Sequence, residues 1–228
     1  DTMAKIKARG DAGKVHVRYN TNLAIVSWKG QHLFHDLLPE FKSYQVCASI
    51  DATGKIGEFI RTGLEWDKWL ENFKSGIPYI KQRGRSSLAM DLTITLPGLF
   101  DIENLLKVAR QLDVEMYVKI VYAFDSSILM SPLALPPEVL HPILDRIITN
   151  ITPHIDPKTQ VLLDTLKDLR TRKTFREEYA DWKAGFARGK HFMQDLARIR
   201  GDGQRGRLRF EDILALDSAA LRWWEQGP

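Results

Sequence analysis

Apolar and polar residues alternate with the two-residue period of a strand in four stretches of the chain. Between Lys14 and Asn22, Val15, Val17 and Tyr19 share one face, and His16, Arg18, Asn20 and Asn22 share the other. From Gln45 to Asp51, Val46, Ala48 and Ile50 alternate with Cys47, Ser49 and Asp51. From Ser87 to Leu96, Leu88, Met90, Leu92 and Ile94 alternate with Ala89, Asp91, Thr93 and Thr95. Glu115 to Tyr122 is the fourth strand pattern, with Lys119 its one basic residue. Helical spacings lie between the strands. Leu33, Leu37, Leu38 and Phe41 form a short stripe that Pro39 kinks or ends, and Trp66, Trp69, Leu70 and Phe73 form a longer one. Leu105, Leu106 and Ala109 mark a helix over Ile102–Leu112, and Thr2 to Gly10 reads as the end of a helix stopped by Gly10. Gly76 and Pro78 interrupt the second stripe, which Ile77 and Ile80 extend to a last turn near Gly84.

Strand and helix thus alternate four times, the pattern of a parallel sheet or barrel. From Pro136 onward the pattern is helical only: one helix through Ile148, one from Pro157 through Leu169, and one over Glu177–Ile199. A loop at Gly201–Gly206 and two short pieces, Phe210–Leu216 and Leu221–Trp224, complete the chain. The expected division is an α/β portion over 1–134 and a helical C-terminal extension over 135–228.

The chain has 228 residues, of which 44% are hydrophobic and 27% charged, the balance of a soluble globular protein. No apolar run reaches the roughly 20 residues of a membrane helix, so no membrane partner is expected. The first residues show no charged-then-apolar leader pattern. One cysteine excludes an internal disulfide and any cysteine-ligated cluster or zinc built from this chain alone, and makes a cytoplasmic, reducing location the expectation. Between Lys158 and Arg209 fourteen Lys/Arg face seven Asp/Glu, a local charge of +7, and the rest of the chain carries −3. That basic third fits an anionic partner or a solvated helical face equally well.

The strands carry more polar residues than a buried parallel sheet tolerates. Arg18, Asn20, Ser49, Asp51, Asp91, Thr93, Thr95 and Lys119 fall on one face, and leaving such groups buried without partners costs about 1–3 kcal/mol each. A wide barrel with a polar lumen that holds a ligand accounts for them. A half-solvated face with internal salt bridges, such as Arg18 with Asp91, is the alternative. Gly54 and Gly57 flank a possible anion-binding turn or an ordinary one, and Arg61 is a carboxylate clamp or a surface arginine. His32 and His35, three apart on a helix, lack a third ligand, and a surface helix face is the preferred account; no metal site is expected. Cys47 has no base near it in sequence and reads as a small packed residue. Tyr179, Trp182 and Phe186 fit one helical face, so packing is preferred there over nucleic-acid binding.

One succession of residues adds a family. Asn20-Thr21-Asn22-Leu23 ends a strand. Ser49-Ile50-Asp51-Ala52-Thr53-Gly54 ends the next, followed by Gly57-Glu58-Phe59-Ile60-Arg61 and the helix Trp66-Asp67-Lys68-Trp69. This resembles the middle of radical S-adenosylmethionine enzymes of the twitch or SPASM-like branch. Leu135-Pro136 before a helix, Arg200, and Arg209-Phe210-Glu211-Asp212 resemble the end of that branch. The resemblance implies a partial parallel (βα)6 barrel and reductive cleavage of S-adenosylmethionine by a 4Fe-4S cluster. The resulting radical would modify a peptide or small-molecule substrate. It also implies that Ser49 meets the cofactor's ribose and Arg61 its carboxylate, with Asn22 lining the mouth and Asp51 near cofactor or substrate. The family's CxxxCxxC loop and Gly-Gly-Glu segment are absent here. Asp1 is therefore expected to fall in the helix after the family's second strand, and the chain to correspond to the C-terminal portion of such an enzyme. The missing half, or another copy, is expected at the edge of the first strand. A cluster-free binding or scaffold module is the other reading.

Overall fold

The computed structural model describes residues 2–83, 86–204 and 206–227. Helix α1 (Thr2–Ala8) precedes β1 (His16–Thr21) and a two-rung hairpin of β2 (Ser27–Trp28) and β3 (Gln31–His32). A wide helical turn over Leu33–Leu37 and a tight one over Leu38–Glu40 lead into β4 (Ser43–Ile50). Then come α2 (Gly54–Ile60), α3 (Trp66–Arg83), β5 (Ser87–Ile94), α4 (Leu96–Leu99), α5 (Ile102–Leu112) and β6 (Glu115–Ile120). The rest is helical: α6 (Pro137–Ile151), α7 (Gln160–Thr171), α8 (Phe175–Glu178), α9 (Trp182–Arg200), α10 (Phe210–Leu214) and α11 (Ser218–Gln226).

The main sheet has four strands in the order β1-β4-β5-β6, every pair parallel. Parallel neighbours in chain order require helical crossovers, which the intervening helices supply. The sheet is open. On the edge of β6, Met116 N donates to Lys158 O at 3.1 Å, so the segment before α7 lies along that edge. Among the described residues, β1 pairs with β4 alone.

The register separates the faces as the alternation predicts. Tyr44, Val46, Ala48, Ile50, Leu88, Met90, Leu92 and Ile94 are buried in one apolar core with Trp69 and Phe73 of α3, Leu105 and Ala109 of α5, and Leu140, Leu144, Leu162 and Leu166 of α6 and α7. That core runs without a break from the sheet into the C-terminal helices. Helices thus cover one face, and the polar residues of each strand line the other.

One helix extends as its stripe predicts, and another is divided. Helix α3 runs straight through Gly76 and Pro78. Pro78 removes one backbone donor, but Gly76 lets the helix press onto the core: a Cβ there would lie 2.7 Å from Phe34 Cε1. The predicted helix over 177–199 is instead two. A Thr174–Glu177 capping box starts α8, and Tyr179 is extended (φ −117°, ψ 124°), which lets its ring stack on Phe124 at 3.9 Å. Gly84, the predicted end of α3, lies outside the described residues.

Candidate functional site

The polar face is built in rows by the strand register. Asn20, Cys47, Ala89 and Glu115 face one another across the four strands. One step nearer the carboxyl end, Ser49, Asp91 and Tyr117 do so, and Thr93 faces Lys119 beyond them. Part of this face is internally satisfied. Lys119 Nζ donates to Asp91 Oδ1 at 2.7 Å. Gln45 Nε2 donates to the Tyr117 hydroxyl at 2.7 Å, and that hydroxyl donates to Glu115 Oε2 at 3.3 Å. His16 Nδ1 bonds Ser43 Oγ at the amino end. Among the described residues Asp91 therefore pairs with Lys119 and not with Arg18. Arg18, Asn20, Cys47, Asp91, Tyr117 and Lys119 surround a cavity of about 300 Å³.

At the carboxyl end the chain turns sharply after β4. Asp51 is 5% exposed, and its Oδ1 accepts from Thr93 N at 3.2 Å and from Arg61 Nη2 at 3.0 Å. Arg61 Nε sits 2.7 Å from Asp51 Oδ2, an ionic contact outside hydrogen-bond geometry. Asp101 is also 5% exposed; its Oδ2 accepts from Thr53 N at 2.5 Å and its Oδ1 from Asn104 Nδ2 at 2.8 Å. A buried carboxylate of the chain's own thus occupies the amide that an anion at the Gly54–Gly57 turn would use. The sequence reading passed over Asp101, although an Asp at the N-cap position before Ile102 was its signal.

Of the residues expected at the cofactor, the fold brings Asp51 and Arg61 into contact. Ser49 stands two residues before Asp51 on the polar face, half-buried, and its hydroxyl makes no hydrogen bond among the described residues. Asn22 is exposed just past β1, where its Oδ1 accepts from Ala24 N at 3.2 Å. All four lie at one end of the sheet, and the Asp51–Arg61 pair is the side-chain contact among them.

The other candidates resolve locally. His32 is extended and ends β3, unlike the helical position expected. Its Nδ1 accepts from Phe34 N and His35 N at 3.2 and 3.3 Å, and its ring stacks on His35 at 3.9 Å. Among the described residues no three His, Cys, Asp or Glu side chains are placed to hold a metal ion, and no helix is long and apolar enough to cross a membrane. Much of the basic third is engaged in ion pairs, Lys158 with Asp113, Arg170 with Asp145, Arg172 with Asp168 and Arg176 with Glu138. Phe186 is buried against Trp223. On α9, Gly189 approaches Ile128 so closely that a Cβ would overlap it.

The face offers donors and charge more than nucleophiles. Burial pushes the Cys47 thiol above its ordinary value, against the pull of Arg18 beside it, so it remains protonated. Burial first, then Glu115, pushes the Tyr117 phenol up as well. These groups suit holding a ligand's acceptors better than attacking one. No family model matches this chain, and no curated protein or solved structure matches it.

Proposed function

We propose that this chain is the C-terminal part of a radical S-adenosylmethionine enzyme, one that modifies a peptide or small molecule once a cluster-bearing half joins it. The observation that carries the reading is the polar face of four consecutive parallel strands. Helices cover the opposite face, and the four cofactor candidates stand at the carboxyl end. Ligands of parallel α/β folds bind at that end.

The two implied groups fit this chain differently. A 4Fe-4S cluster does not fit: Cys47 is the single cysteine, and it is 2% exposed inside the sheet. No step through a cluster is derived from these residues. S-adenosylmethionine fits in part. The Ser49 hydroxyl is without an internal partner, Arg61 retains N–H groups beyond the two facing Asp51, and Asn22 keeps its amide donors at the rim. These groups would bind and orient the cofactor's ribose and carboxylate. In this reading the cluster-bearing strands pair with the open edge of β1 and close the polar face into a lumen.

A second reading, a binding module without chemistry, is favoured by the engagement of the Arg61 fork with Asp51. Equilibrium dialysis of radiolabelled S-adenosylmethionine against the chain separates the two. The enzyme reading expects saturable binding that Ser49→Ala and Arg61→Ala each weaken by about tenfold, near the upper value for a lost neutral hydrogen bond at Ser49 and the lower value for a charge-assisted one at Arg61. Absence of saturable binding at millimolar cofactor leaves the binding module.

A further inference from the structure

We infer that the inner face recognises a carboxylate through Arg18, and that Arg18 sets the substrate class of this site. The inference rests on reading the polar face as the substrate side of the proposed barrel. It starts from which groups on that face have partners. Asp91 is held by Lys119, Gln45 and Glu115 are joined through Tyr117, and His16 is bonded to Ser43. Arg18 has no ion-pair partner among the described residues; its guanidinium bonds the neutral Cys47 thiol and its charge also acts on the Tyr117 phenol. It is exposed on β1 at the wall of the 300 Å³ cavity.

Donor and acceptor chemistry then define the ligand. The cavity wall carries two cations, Arg18 and Lys119, and one carboxylate, Asp91, which Lys119 already meets. The uncommitted groups are the guanidinium N–H donors of Arg18 beyond its Cys47 contact and the amide of Asn20. A ligand group that answers them is a planar anionic acceptor, because a guanidinium fork matches a carboxylate with two parallel hydrogen bonds. Cys47 and Ala89 are the small residues between Asn20 and Glu115 in the same row, and they leave room for the ligand's body. The volume is at the low end of small-molecule sites, so the ligand has about the size of one amino acid. That carboxylate can belong to a free metabolite-sized acid or to an acidic side chain in a peptide.

Amide chemical-shift titrations of the isotope-labelled chain test this with three probes. Acetylated, amidated glutamate presents the carboxylate within a peptide, succinate presents it free, and acetylated, amidated glutamine is the neutral counterpart. The expected result is saturable shifts at Arg18, Asn20 and Cys47 for one or both carboxylates, at least about tenfold weaker for the glutamine probe, as for a lost charge-assisted contact. The stronger of the two carboxylate probes identifies the source. Arg18→Gln should remove that selectivity, and Arg18→Lys should restore it in part, with thermal unfolding of both variants unchanged. Equal binding of the neutral probe, no saturation by either carboxylate, or unchanged selectivity in Arg18→Gln overturns the inference. S-adenosylmethionine binding, measured on the same samples, should be unaffected by Arg18→Gln. Carboxylate selectivity without cofactor binding defeats the enzyme reading alone, and cofactor binding without selectivity defeats the Arg18 inference alone.

Discussion

Arg61 and Asp51, ten residues apart, close on each other at the carboxyl end of the sheet, with Nη2 3.0 Å from Oδ1 and Nε 2.7 Å from Oδ2. Asp51 also accepts from Thr93 N, so one carboxylate ties the turn after β4 to the end of β5. The pair braces the fold before it does anything else. Arg61→Ala leaves a buried carboxylate with a single backbone donor. Breaking a fully buried pair costs about 3–5 kcal/mol. Arg61 keeps 29% of its side-chain exposure, so water compensates in part and a loss of about 2 kcal/mol is expected. Urea unfolding measures it. The double variant Asp51→Asn, Arg61→Ala should be less destabilised than the two single changes added together, and strict additivity would show that the two side chains do not act as a unit.

The same turn depends on two glycines for different reasons. Gly54 has φ +49° and nothing near its missing Cβ, whereas a Cβ on Gly57 would overlap the Ala52 carbonyl and press on Leu64. Gly54→Ala therefore carries only the left-handed backbone penalty, about 1 kcal/mol. Gly57→Ala forces backbone apart and should cost more, about 2–3 kcal/mol, the upper range for overpacking. Chemical denaturation of the two variants gives the order directly. A Gly57→Ala protein as stable as Gly54→Ala would mean that α2 does not pack onto Ala52.

Strand positions were legible wherever one face is buried. Val46, Ala48 and Ile50, and Leu88, Met90, Leu92 and Ile94, alternate because helices cover only one side of them. The β2–β3 hairpin was not legible. Ser27 and Trp28 are both exposed, so no alternation marks them, and the turn relies on Lys29 and Gly30 at φ 50° and 75°, where Gly30 was the one signal. Helix α3 continues past Gly76 and Pro78, as the stripe through Ile77 and Ile80 indicates, because packing on Phe34 and Leu88 outweighs their local propensity penalty. At the candidate site the residue types were visible, but their pairing was not. One alternative paired Arg18 with Asp91; Lys119, which the register sets opposite Thr93, reaches back along the face to Asp91 instead.

Acidification should loosen the segment after the hairpin. His32 Nδ1 accepts from two backbone amides, which requires that nitrogen to be unprotonated. Burial, and then His35, push the His32 pKa below the ordinary imidazole value, with Asp36 opposing them. A folded-state value below the unfolded one means that the stability it contributes is complete above about pH 6.5, the unfolded imidazole value, and is lost as pH falls through that value toward the folded one. Imidazole titration by NMR should place His32 below an ordinary histidine, with amide shifts of Phe34 and His35 following the same curve. His32→Asn keeps a capping acceptor that does not titrate in this range, so it should remove the pH dependence at a cost under about 1 kcal/mol. If the two amides respond to pH alike in both proteins, the cap is not the sensor.

The edge of β1 should make this chain associate with itself. Among the described residues its outer backbone groups pair with no strand. The surface beside it is apolar: Tyr19 is 37%, Ile25 65% and Trp28 67% exposed, and with Met3, Val17 and Leu37 they line a groove of about 720 Å³. An unpaired edge next to an apolar groove is a template for another strand. On the proposed function, that strand belongs to the cluster-bearing half, and in its absence another copy competes for the place. Light scattering coupled to size exclusion should show an apparent mass that rises with concentration. Tyr19→Lys together with Trp28→Lys charges the edge and the groove without touching the core, and should return the chain to a monomer. A clean monomer of the unaltered chain at high concentration would mean that β1 is protected as it stands, and would remove the reason to place missing strands beside it.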